Sequence, residues 1–135
     1  KNSSSHLIPK GTIITSTRMA LGKAVIYEVD VSINQDLKAI FPTADVDSSF
    51  LCYWFQKNAE YIESLGSGST VMGISLHDLR AIEFLKPTLS EQVAIVRVLS
   101  DMDKEITQHE AYLRKTQELK QGMMQKLLTG NIRLI

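Results

Sequence analysis

The sequence predicts an α+β fold. A partial mixed sheet-and-helix domain spans about residues 1–88, and a long C-terminal helix of coiled-coil type occupies residues 89–135. Three observations predict it. Short β-branched runs punctuated by Gly and Pro fill the chain up to Pro42. Apolar residues then recur at helical spacing from Phe50 to Leu65. A third run, from about Asp101, keeps helical spacing all the way to Leu127 and Leu128 before Thr129-Gly130 closes it.

The elements follow in order. Residues 1–10 are polar and end in the turn signal Pro9-Lys10-Gly11. Residues 12–15 are β-branched and predict a strand. Residues 16–23, with Arg18, Gly22 and Lys23, predict a loop. Residues 24–29 form a second strand, apolar enough to be buried on both faces. Residues 30–36 connect it to a third strand over 37–41, which Pro42 stops because it offers no N–H to the ladder. Asp47 or Ser48 caps a helix. Its apolar stripe runs through Phe50, Leu51, Trp54, Phe55, Tyr61, Ile62 and Leu65, interrupted only by Asn58, and Gly66 ends it. Tyr53-Trp54-Phe55 belongs to the core on this spacing, since Trp54 and Phe55 lie on the buried face. Residues 66–70 form a Gly-Ser-Thr loop. Ser75 caps a short helix through Arg80, and residues 82–85 predict a strand that Lys86-Pro87-Thr88 breaks.

Ser90 then caps the C-terminal helix, with Glu91 placed to suit the helix dipole. A kink is expected near Ser100-Asp101. Beyond it, Met102, Ile106, His109, Leu113, Thr116, Lys120, Met123 and Leu127 alternate in steps of four and three, a nearly heptad seam. Leu119 beside Lys120 shows the stripe drifting, as on a straight helix. The polar members His109, Thr116 and Lys120 weaken the seam and are suited to fixing register. A helix over residues 101–128 is about 40 Å long at about 1.5 Å per residue. A body of 135 residues does not bury such a rod by itself, so the sequence predicts a partner helix.

Composition narrows the function. Hydrophobic residues at 44% and charged residues at 22% describe a folded chain rather than a disordered one. No apolar run reaches the about 18 residues a membrane span needs. The opening carries no signal segment, and the one cysteine, Cys52, reads as a small core residue. A cytoplasmic protein without membrane contact is expected. Basic and acidic residues number 15 each, so bulk charge alone does not attract nucleic acid, although a local basic face remains open. The first residue is Lys and a loop-like Asn2-Ser3-Ser4-Ser5 follows, which reads as a fragment of a longer protein.

No catalytic constellation is apparent. His6, His77 and His109 lie far apart, without a second Cys or His at metal-ligand spacing, so no metal and no cofactor are expected. His77 beside Asp78 serves a helix start. The Gly-Ser-Thr loop lacks the Gly-Lys-Ser/Thr that a nucleotide-hydrolysing loop requires.

Four motifs in order carry a family resemblance. They are the loop 66–75, the start Pro87-Thr88-Leu89-Ser90-Glu91-Gln92, the stretch 99–106, and the ending Gly122-Met123-Met124-Gln125-Lys126-Leu127-Leu128-Thr129-Gly130. Together they strongly resemble the DNA-specificity subunit of type I restriction-modification systems, from about Pro9 to the end. Lys10 to Ile14 followed by Gly22-Lys23 also looks like the middle of a target-recognition domain. Met72 stands where the family often has a basic or amide side chain.

The resemblance implies a non-catalytic subunit. Its recognition domain reads one half of a split double-stranded DNA sequence, and its long helix pairs with another to form a spacer. It implies methyltransferase subunits and motor-nuclease subunits as partners. Isolated from its natural partner helix, such a rod is expected to form a homodimer through Met102, Ile106, His109, Leu113, Thr116, Leu119, Met123 and Leu127. The family supplies no fixed base-reading residues, so DNA contacts are assigned from chemistry. Arg18 offers a planar donor fork for a guanine edge and Lys23 a charge for phosphate. Ser67, Ser69 and Thr70 offer hydroxyls and N–H groups to phosphates, and Lys10 is a further cation. A coiled-coil adaptor that binds only protein is the alternative.

Overall fold

The computed structural model describes residues 6–67 and 73–135. It forms two compact units, Lys1–Val96 and Arg97–Ile135.

In the first unit, a three-stranded antiparallel sheet has β2 (Ile13–Ser16) between β3 (Ala24–Ile26) and β5 (Leu37–Ile40). Ile13 pairs with Ile26 on one side and Ile40 on the other, and Ser16 pairs with Leu37. A separate pair, β1 (His6–Ile8) and β4 (Val31–Ile33), is also antiparallel. Its register continues that of β2 and β3, so the two pairs are successive segments of one interrupted ribbon. Pro9 lies in the interruption on one strand. There Thr12 N–H bonds the Pro9 carbonyl at 3.4 Å, and Gly11, at φ +79°, donates to Tyr27 at 2.9 Å.

Two strands were therefore absent from the sequence reading. β1 lies within the stretch read as polar, and β4 within residues 30–36, read as a connection. Each has only three residues, too few for a period of two to stand out. The second strand also differs from expectation. It stops at Ile26, and it is an edge strand with Ala24 buried but Val25 45% exposed, not buried on both faces.

α1 (Ser48–Lys57) packs on β3. Asp47 caps it, accepting from Phe50 N–H at 2.9 Å. The expected single helix is divided, because α2 (Ala59–Ser64) begins after Asn58. The Asn58 side chain donates to the Trp54 carbonyl at 2.7 Å, sharing that acceptor with its own backbone N–H at 3.0 Å. α2 ends with Leu65 still right-handed. α3 (Leu76–Ala81) is capped by Ser75, which accepts from Asp78 N–H at 3.0 Å.

The core gathers Ile13, Leu21, Ala24, Cys52, Phe55, Ile62 and Ile74. Residues 82–85, expected as a strand, make no ladder. Instead Phe84 turns its ring onto Trp54 and Phe50, with centroids 5.5 and 6.0 Å apart. Trp54 meets Phe55 edge-on at 5.5 Å. The aromatic cluster is thus core, and Ile82 packs beside it.

α4 runs unbroken from Leu89 to Leu128, about 60 Å at about 1.5 Å per residue. Two details differ from expectation. Its start is held by Thr88, whose hydroxyl accepts from Glu91 N–H at 3.4 Å, so Ser90 sits inside the first turn. The helix also passes through Ser100-Asp101 without a break, and the Ser100 hydroxyl bonds back to the Arg97 carbonyl at 3.1 Å within it. Gln92 is fully buried and ties the first turn of α4 to the loop before α1. Its amide donates to the Asp45 and Pro87 carbonyls at 3.1 and 2.9 Å, and its carbonyl oxygen accepts from Asp47 N–H at 2.8 Å. Gly130, at φ +75°, closes α4 by donating to the Leu127 carbonyl at 3.2 Å.

Candidate nucleic-acid interface

The loop between β2 and β3 is exposed at its tip and anchored at its base. Thr17 N–H and hydroxyl both bond the Asp36 carbonyl, at 2.8 and 3.1 Å. The Thr17 carbonyl accepts from Ile74 N–H at 3.1 Å. Thr15 Oγ1 donates to the Lys23 carbonyl at 3.0 Å, and Leu21 is buried in the core. Gly22 takes φ +74° and lies directly against the backbone of Ala59, where a Cβ would meet the Ala59 Cα at 2.6 Å. Ala59 is the residue after the Asn58 break, so the loop seats where the helix is divided. Among these anchors, Arg18, Met19 and Ala20 remain exposed, and Met19 is 81% exposed with φ +62°.

Arg18 is held at its backbone and presented at its head. Ser16 Oγ donates to the Arg18 carbonyl and accepts from its N–H. Arg18 forms a β-bridge with Gly73, and the Arg18 stem passes beside it. The side chain is 63% exposed, and its Nε approaches Asp36 Oδ1 at 3.7 Å. That distance makes an ion pair without a true hydrogen bond.

The residues expected to touch DNA are partly brought together. Gly73 bridges to Arg18 on one side and to Ser67 on the other, exchanging backbone bonds with Ser67 at 2.8 and 3.0 Å. Lys23 is exposed and sits opposite the Ser16 end of β2, the end from which Arg18 departs. Lys10 is separated from them, since it precedes the other end of β2, and its backbone N–H bonds Asp30 Oδ1 at 2.9 Å. Ser69, Thr70 and Met72 lie outside the described residues. Asp36 was missed in the sequence. Its one signal is the pairing of β2 with β5, which sets Thr17 opposite Asp36 and cannot be known before the register is.

The seam residues Met102, Ile106, His109, Leu113, Thr116, Leu119 and Met123 are all exposed on α4, and Leu127 is half-buried. Thr116 bonds back to the Tyr112 carbonyl at 3.0 Å, and His109 lies 3.8 Å from Glu105. Among the described residues, no group of three or more His, Cys, Asp or Glu is arranged to hold a metal ion. Nor is any helix there long and apolar enough to cross a membrane.

Comparison with known proteins identifies the family. Residues 1–121 match the family model for the type I restriction modification DNA specificity domain. The chain is 32% identical over 105 residues to the type I restriction enzyme MjaIX specificity subunit of Methanocaldococcus jannaschii, covering 76% of this chain and 24% of that protein. It is 31% identical over 123 residues to a putative MjaX specificity subunit of the same organism, covering 90% and 29%. Its fold is similar to the S subunit of a type I restriction-modification system from M. genitalium, with TM-score 0.66 and 25% identity over 87% of this chain and 32% of that one. It also superposes on the HsdS subunit from Thermoanaerobacter tengcongensis, with TM-score 0.67 and 18% identity over 89% and 30%, a likeness of fold. The chain spans about a quarter to a third of the length of these relatives. Taken with the α+β unit and long helix, the match over most of its residues places this chain in the type I restriction-modification DNA specificity family.

Proposed function

We propose that this chain is part of a non-catalytic specificity subunit that reads one half of a split double-stranded DNA target for a type I methyltransferase and restriction assembly. The observation that carries the reading is the β2–β3 loop. A buried frame of Thr15, Thr17, Leu21 and Gly22 holds Arg18 out at a fixed place, with Lys23 and Ser67 at the same end of the sheet. Interfaces of this kind use Lys and polar groups on phosphates for position and an Arg fork on a base edge for sequence.

The helix α4 supplies the second half of the function. Its seam from Met102 to Leu127 is uncovered for most of its length, and burying it needs another helix. In the intact subunit that pairing sets the distance between half-sites and helps to dock the methyltransferase subunits, which with DNA recruit the motor-nuclease subunits. Alone, the chain pairs with a second copy through the same seam. The assembly works in the cytoplasm and the subunit needs no cofactor of its own.

Selection from a pool of random duplexes tests the reading. The intact subunit with its methyltransferase partners should enrich a bipartite motif with an unread gap. Recovery of duplexes without any common sequence would instead leave a protein-binding adaptor.

A further inference from the structure

We infer that Asp36 is a positioning residue for base reading. The Arg18–Asp36 pair, rather than the arginine alone, discriminates one guanine in the half-site. This rests on the DNA-reading function proposed above and adds the residue that orients its principal side chain.

Three features lead to the pair. First, the Arg18 backbone is fixed on every side. Ser16 holds its N–H and carbonyl, Ala20 N–H bonds the same carbonyl at 2.8 Å, and Gly73 bridges to it alongside. With the backbone already ordered, binding has only the side chain's own rotamer freedom left to remove. Second, the head is steered. Asp36 meets it at Nε, 3.7 Å away, and a guanidinium has five N–H donors, so its terminal nitrogens still offer a fork. That fork matches the O6 and N7 acceptors of guanine in the major groove.

Third, Asp36 itself is pinned through its backbone. Its carbonyl accepts two bonds from Thr17, and its N–H donates to Asn34 Oδ1 at 3.1 Å. Its carboxylate makes no part of that frame, which leaves the acid to act on Arg18. A carboxylate beside the arginine also lowers the local positive potential. Phosphates, fully charged, feel that more than an uncharged base edge does. The pair is therefore biased away from indiscriminate backbone contact and toward the base.

The test uses the intact subunit assembled with its methyltransferase partners. Competition binding compares its target duplex with duplexes changed at one base pair at a time, for the parent and for Arg18→Ala, Asp36→Asn, Asp36→Glu and the Arg18→Ala/Asp36→Asn double variant. One position should prefer guanine by roughly 5- to 150-fold in the parent. Arg18→Ala and Asp36→Asn should each lose most of that preference at the same position. The double variant should lose no more than Arg18→Ala, and Asp36→Glu should restore part of it. Affinity for an unrelated duplex should hold or rise in Asp36→Asn, an effect that a merely structural loss does not produce. Arg18→Lys, which keeps the charge without the fork, should relax the same position, and it gives the pair a second test should Asp36→Asn unfold.

A parental preference left intact by Asp36→Asn, or a uniform weakening on all duplexes, would overturn the inference while leaving DNA reading in place. So would discrimination by the parent that Arg18→Ala and Arg18→Lys leave intact at every position. A parent without any preferred sequence would overturn both the inference and the proposed function.

Discussion

Gly22 shows how closely one residue can control a loop that lies among candidate contacts. Its φ of +74° and its contact with the Ala59 backbone exclude a side chain for two independent reasons. Gly22→Ala is expected to cost about 2 kcal/mol or more, combining left-handed strain with a backbone clash. A urea unfolding midpoint lowered without a change in slope checks it. Asp45 gives a pH signature. The Lys86 ammonium, with help from the Thr43 hydroxyl, holds the Asp45 carboxyl down to about 2 from 3.8. The folded value is depressed, so the stabilisation is complete above about pH 4 and disappears as pH falls through about 2. The difference in melting temperature between parent and Asp45→Asn should shrink over that window and be modest throughout, because the pair is exposed. A difference that grows on acidification would refute it. At this scale the sequence is legible where chemistry is local. The cap at Ser75 and the buried Cys52 followed from neighbouring residues alone, and the first helix's cap was narrowed to Asp47 or Ser48. Asp36 did not, because its role depends on a strand pairing across about 20 residues of chain.

Elements succeed or fail by the length of their pattern. α4 has 40 residues, and its stripe is unmistakable. The three-residue strands β1 and β4 carry too few side chains to declare a period, and residues 82–85 look like a strand only because Phe84 and Ile82 are wanted by the core. Asn58 was visible as an interruption of the stripe, but its bond to Trp54, and the seat this break offers Gly22, are tertiary facts. Gln92 is similar: its place at the helix start was readable, and its three buried bonds were not. Gln92→Ala strands one N–H and two carbonyls, and it is expected to destabilise the first unit by about 2–4 kcal/mol. Chemical denaturation of the variant measures it, and a loss below about 0.5 kcal/mol would show that water replaces the amide. On α4, Leu113→Asp places a charge in the proposed seam. Sedimentation analysis should show the paired species of the parent converted to monomer, and an unchanged sedimentation profile would remove Leu113 from the interface.

The whole molecule joins two surfaces of different character, each described within its own unit. One is a framed loop that presents Arg18 beside Asp36. The other is a long helix whose apolar seam is mostly open to water. Neutral net charge fits a reader that acts through a few placed groups rather than through a general attraction to the DNA backbone. The account's central claim is that the first surface specifies bases while the second sets the interval between two such readings. Methylation mapping of genomic DNA tests it most directly, in cells carrying the intact system with Arg18 or with Arg18→Ala. The account predicts a bipartite methylated motif in the parent, and in the variant relaxation at one base of one half with the gap unchanged. A parental map with no bipartite motif, or a variant motif identical to the parent's at every base, would contradict it.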